Sequence, residues 1–137
     1  MLNRLLIPSC LALVCAAACG DDGGDADRVG IAAVCTADED CRDFELPDGG
    51  VVQLQCLTQF KGGYCGVPDC LSSAECPLNS ICVAHDDGRN YCFRVCDNKP
   101  ECNVNRPADD EANCSSSFDW AVPAEDAGEK ACIPPSA

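Results

Sequence analysis

Cys70-Leu71-Ser72-Ser73-Ala74-Glu75-Cys76 sets five residues between two cysteines, with an acid directly before the second. The same step recurs at Cys35–Cys41 and Cys96–Cys102, where Asp40 and Glu101 hold the acidic position. Two more cysteines follow each step: Cys56 and Cys65, Cys82 and Cys92, Cys114 and Cys132. Recurrence at fixed spacing reads as an internal repeat, with units 35–65, 70–92 and 96–132 filling a cysteine-rich region 35–132 before a short tail, 133–137. Only Gly66-Val67-Pro68-Asp69 and Phe93-Arg94-Val95 lie between units, so the units should abut without a flexible joint.

The stretch from Cys35 to Cys132 is 98 residues long and carries 12 cysteines but only seven aromatic residues. That cysteine density marks a disulfide scaffold, in which bridges stand in for apolar burial. The expected fold is therefore small and disulfide-rich, with short β-hairpins and little helix. Each third-to-fourth interval reads as a hairpin. In the second unit Ile81–Ala84 and Asn90–Phe93 flank Asp86-Asp87-Gly88, whose Asp-Gly supplies the positive φ of a tight turn. In the first, Leu57–Phe60 and Tyr64-Cys65 flank Lys61-Gly62-Gly63. In the third, Phe118–Val122 and Lys130–Ile133 enclose Pro123–Gly128. Tyr64 and Tyr91, each preceding a fourth cysteine, are placed to shield a disulfide. The spacing leaves three pairings open in each unit.

The N-terminus has the parts of an export signal: Arg4, then an apolar run from Leu5 to Ala18 that is too short to span a bilayer. Gly20–Val34 opens with three glycines and four aspartates in eight residues, a composition expected to form a disordered acidic tether. Ala16 and Ala18 satisfy the A-x-A rule of a general signal peptidase, which cuts before Cys19. Parity bears on what happens there. The chain has 15 cysteines; removing Cys10 and Cys15 with residues 1–18 leaves 13, an odd number for an exported framework.

Ala16-Ala17-Ala18-Cys19 resembles the lipobox of bacterial lipoproteins, with Cys15 a weaker alternative. The resemblance implies cleavage before Cys19, a lipid on the Cys19 thiol, residues 19–34 as lipidated N-terminus and tether, and anchoring in the bacterial cell envelope. Gly20, where some inner-membrane lipoproteins carry Asp, points to the outer membrane. Over 35–132 the array is similar to the cysteine-rich, loosely EGF-like repeats of such exported proteins, which implies pairing of first with third and second with fourth cysteine. It lacks the Cys-x-Cys step of a true EGF module, so EGF-type calcium binding is not implied.

The formal net charge is -14, and loss of Arg4 makes it -15, which disfavours nucleic acid because duplex binding takes clustered Lys and Arg. Zinc, the other use of twelve thiols, wants knuckles of two to four residues between cysteines; within the array only Cys65–Cys70 and Cys92–Cys96 qualify, and both straddle unit joints. Asp21–Asp27 has Ala32 where an EF-hand needs its bidentate Glu. Asp38-Glu39-Asp40 and Asp109-Asp110-Glu111 are denser acid clusters, read as solvated turns, with a weak calcium site as the alternative. His85, the single histidine, sits at the shoulder of a turn as an exposed polar residue. Ser115-Ser116-Ser117 lacks a nucleophile elbow, and there is no Cys-x-x-Cys for redox exchange. No catalytic residue, metal ligand or cofactor is expected. The sequence suggests a non-enzymatic surface module for structure or protein interaction, with the membrane reached through lipid. The alternative is a disulfide-stapled protease inhibitor using Arg42–Gln55 or Asn103–Asn113 as its loop. Phe118, Trp120 and Val122 alternate and are expected to fill core.

Overall fold

The computed structural model describes residues 26–27, 30–45 and 48–137. Residues 1–25, and with them Cys10, Cys15, Cys19 and the proposed signal segment, lie outside the described residues. The fold is small, disulfide-rich and built of short antiparallel strands. Two two-stranded sheets, β1 (Asp43–Glu45) with β2 (Val51–Gln53) and β3 (Gln55–Cys56) with β4 (Cys65–Gly66), precede a five-stranded sheet. That sheet holds β5 (Ser80–Ala84), β6 (Asn90–Cys96), β7 (Asn113–Ser115), β8 (Asp119–Trp120) and β9 (Lys130–Ile133) in the order β7-β9-β6-β5-β8. Among the described residues, helix is confined to short pieces such as α1 (Lys99–Cys102) and three-residue 3-10 turns.

Six bridges pair the twelve cysteines: Cys35–Cys56, Cys41–Cys65, Cys70–Cys82, Cys76–Cys92, Cys96–Cys114 and Cys102–Cys132. In every unit the first cysteine joins the third and the second joins the fourth, as expected. Strand alternation explains how one hairpin serves two purposes. Along β5 and β6, Ile81, Val83, Tyr91 and Phe93 enter the main core while Cys82 and Cys92 fall in a separate cysteine cluster with Cys70 and Cys76, because neighbouring side chains on a strand point to opposite faces. Tyr91 therefore packs away from Cys92 and does not cover it. Its place is the core, and so is that of Tyr64; both are fully buried.

Phe60 is the hub of that core. Tyr64, His85, Tyr91 and Phe93 meet its ring edge-on, with centroids at 6.1, 5.1, 5.3 and 5.6 Å. Edge-to-face contact sets the positive rim of one ring against the negative face of another. The cluster draws from the first and second units alike, so neither unit owns a complete core. Phe60→Ala is expected to cost about 3 kcal/mol of unfolding free energy, from lost burial plus the cavity left among rings. A fall in denaturant midpoint at unchanged slope would register it; a shift within error would mean that the ring cluster contributes little.

Three hairpin expectations fare differently. The second is present, with Ser80–Ala84 paired residue for residue to Asn90–Arg94. The first pairs one step further out, at Gln55–Gly66 and Cys56–Cys65, because Leu57–Phe60 turns inward to bury Leu57 and Phe60. Here the Gly62-Gly63 turn is required. Both residues have positive φ, and a Cβ on Gly63 would lie 2.1 Å from the Cys35 carbonyl oxygen. The third hairpin does not form. Trp120 pairs with Val83 at one edge of the five-stranded sheet, while Lys130–Ile133 pairs with β6 and β7 near the other. Phe118 and Trp120 lie half-buried against the core, and burial of their rings on the second unit outcompetes pairing within the third.

The tether also ends earlier than its composition suggests. Ala26, Ile31 and Ala32 are buried, and 32–35 joins the first unit through Ala32 N–H to Cys65 O, Cys65 N–H to Ala33 O and Cys35 N–H to Gly62 O. The apolar run Ile31-Ala32-Ala33-Val34, averaged away beside the aspartates, is what docks. The tail 133–137 docks as well. Ile133 completes β9, Lys61 N–H donates to Pro135 O, and Ala137 N–H donates to Gln59 O.

Candidate functional site

The acid before each second cysteine proves to be a clasp. Asp40 accepts from Thr36 N–H at 2.8 Å, Glu75 from Leu71 N–H at 2.8 Å and Glu101 from Asp97 N–H at 3.0 Å. In each case the donor is the residue just after the first cysteine, so the carboxylate closes the five-residue step around a helical turn. The thread between two cysteines is thereby fixed from outside by charge and from inside by sulfur. Thr36 Oγ1 and Ala37 N–H also donate to Asp40, and these donors, the Thr36 N–H first, hold its carboxyl below the usual carboxylate range. Asp38 accepts from Cys56 N–H. The cluster 38–40 thus has protein donors on two of its three carboxylates, and Glu111 of the cluster 109–111 pairs with Lys99.

Acid denaturation follows from these bonds. Asp40, Asp69, Asp87 and Glu125 all have depressed carboxyls. Arg89 donates to Asp69. At Asp87 burial works against the charge, but Tyr91 O–H, Arg89 N–H and neighbouring His85 together outweigh it, and Glu125 accepts from Ser73 N–H. A depressed folded-state pKa means that the unfolded chain binds more protons in the acid range. Stability is then full above the ordinary carboxylate range and falls as pH drops through the depressed values. The denaturant midpoint should decline on acidification, and the gap between wild type and Asp40→Asn, present at neutral pH, should close in acid. A gap independent of pH would refute the clasp.

Two arginines that the sequence did not single out hold the units together. Arg94, 6% exposed, donates from Nε and Nη2 to the two carboxylate oxygens of Asp27 and from Nη1 to Val95 O. Burial opposes its charge, but Asp27 first, then Glu101 and Tyr64 nearby, together outweigh that and raise its pKa further. Its own N–H donates to Tyr64 Oη, and burial lifts the Tyr64 phenol well above its usual range. Arg106 is buried too, and no carboxylate among the described residues forms an ion pair with it. It donates to four carbonyl oxygens: Asp110 at 2.6 Å, Ala32 and Gly63 at 2.9 Å, and Lys61 at 2.6 Å. One guanidinium so joins the N-terminal segment, the first unit and the third. Its grip on the Ala32 carbonyl helps to hold a non-glycine residue at a φ of 72°, a conformation that carries strain.

The residues weighed for chemistry and set aside are dispersed. His85 is not an exposed turn residue: its side chain is 16% exposed and packs edge-on to Phe60 and Tyr91. The imidazole is apolar enough on its faces to join the ring cluster. Its Nδ1 accepts from Asp87 N–H at 3.4 Å. Of the two candidate inhibitory loops, 42–55 is occupied by the β1–β2 hairpin. The other, 103–113, is pulled inward by Arg106 and by Asn103, whose side chain accepts from Ala112 N–H and donates to Ala112 O and Lys99 O. Among the described residues, the side chains of ligand type that come close enough to share an ion are triples of bridged cysteines, such as Cys70, Cys76 and Cys92. Their sulfurs are the stacked bridges of one unit. What the frame presents outward is a set of short tips and exposed apolar residues: Val51 in β2, Leu71 and Leu78 around the second clasp, and Val104 after α1.

No protein-family model matches the chain, and neither a curated protein nor a solved structure is found to be similar to it.

Proposed function

We propose that this is a non-enzymatic, lipid-anchored extracytoplasmic protein: a tandem array of three loosely EGF-like cysteine repeats that serves as a surface structural or protein-interaction module. Residues 1–18 are its signal peptide, Cys19 carries its lipid, and its place is the bacterial cell envelope, on the outer membrane and outside the cytoplasm. The observation that supports this most is the complete pairing of the twelve cysteines in 35–132. Six bridges suit an oxidising compartment, and they leave Cys19 as the odd thiol of a chain cut after Ala18. The recurrent clasp and the identical pairing in all three units support the repeat. Exposed tips on a cross-linked frame suit recognition, since little order must be gained on binding.

Intact-mass spectrometry of the membrane-extracted protein tests the reading. An N-terminus at Cys19 with added acyl mass is expected, and Cys19→Ser should shed the protein into the soluble fraction. A mature chain starting at Cys19 without acyl mass would remove the anchor. A stable stoichiometric complex with a protease from a panel would replace the module by an inhibitor.

A further inference from the structure

We infer that the docked N-terminal segment holds one particular face of the domain against the lipid surface, within about one domain diameter of it; this rests on the anchoring reading above. Docking moves the point at which the chain leaves the folded frame from Cys35 back to Ala26. Ala26 and Ile31 are at most 1% exposed, Ile31 N–H donates to Ala26 O, and the Asp27 carboxylate is paired to buried Arg94. Seven peptide steps separate Cys19 from Ala26, which span at most about 25 Å whatever conformation they take. A tether running free to Val34 would have allowed about 54 Å. A domain of this length has a radius of gyration near 13 Å, hence a breadth of roughly 35 Å. The exit point therefore stays closer to the lipid than the domain is wide.

Asp27, Gly30, Asp40 and Arg42 line one shallow depression at that exit, and Val104 and Asn105 stand beside Asp27. This is the face turned to the head groups. Val104 is 66% exposed there, but no globular partner of the domain's own size fits between it and the bilayer, so such partners must use the remaining surface. The lipid surface suited to this face is a zwitterionic one. The chain's strong negative charge repels anionic head groups over the Debye length, about 8 Å at physiological salt.

The test uses the full lipidated protein with a fluorescent amino acid in place of Val104, on phosphatidylcholine vesicles bearing an acceptor dye on a fraction of head groups. Strong energy transfer is expected. A Gly-Ser insertion of about 12 residues between Asp25 and Ala26 adds about 20 Å of coil reach and should lower the transfer at least about threefold. Ile31→Asp, which undocks the segment, should lower it without any insertion. Anionic vesicles at low salt should give less transfer than neutral ones, and added salt should remove the difference. Background transfer from the uninserted protein, or transfer unchanged by the insertion, overturns the inference. Failure of the protein to float with the vesicles would instead condemn the lipid anchor itself.

Discussion

Full reduction is expected to unfold the protein outright, with a mass gain of about 12 Da, two hydrogens for each bridge. The loops closed by the six bridges run from 12 to 30 residues in sequence separation. In the chain-entropy account each such closure stabilises the folded state by about 3–4 kcal/mol relative to the reduced chain. Together these exceed the 5–15 kcal/mol by which a typical domain is stable, even if they do not fully add. The aromatic hub around Phe60 is real, but it is one small cluster, and two of the three core clusters consist chiefly of cysteines. Circular dichroism before and after reductant, with mass spectrometry on the same samples, checks the result. A reduced chain that kept native tertiary signals would show that apolar packing suffices alone. Within the set, opening Cys102–Cys132 by double Cys→Ala substitution should cost most, since it closes the longest loop.

Arg106→Ala should lower the unfolding free energy by about 4 kcal/mol, more than truncation of any surface side chain. The substitution strands carbonyls of Lys61, Gly63, Ala32 and Asp110 that now receive charged donors. Hydrogen bonds to a charged group are worth about 1.5–3 kcal/mol each, and water entering the gap recovers part of the loss. Arg106→Lys should recover little, because a single ammonium cannot reproduce a planar fork that spans four acceptors. Faster amide exchange at Ala32 and Cys65 would accompany the loss, since the N-terminal segment is held there. Equal stability of Arg106→Ala and wild type would show that the carbonyls are satisfied some other way.

What could be read in advance was the part governed by spacing. The x5 step, the grouping into fours and the Asp-Gly turn at 87–88 are local features, and local geometry carries them into the fold. The clasp was visible as an acid at Asp40, Glu75 and Glu101, but its partner, the N–H just after the first cysteine, has no side-chain signature. Arg94 and Arg106 were hidden among scattered basic residues, because a buried guanidinium is recognised by the carbonyls around it, and those come from Lys61 and Ala32, far away in sequence. The third hairpin failed for a related reason. Turn residues at 123–128 say where a chain can reverse, not which strand it will meet, and Trp120 pairs with Val83 instead of Lys130.

Since β6 runs from the last bridge of the second unit into the first cysteine of the third, and residues 133–137 return to the first unit, the chain forms a closed circuit and not a row of beads. Such an arrangement resists lengthening by insertion. A further four-cysteine segment would have to open the ring, orphaning Gln59 and Lys61 at one end. Any one four-cysteine segment excised and expressed alone is expected to prove insoluble or shapeless.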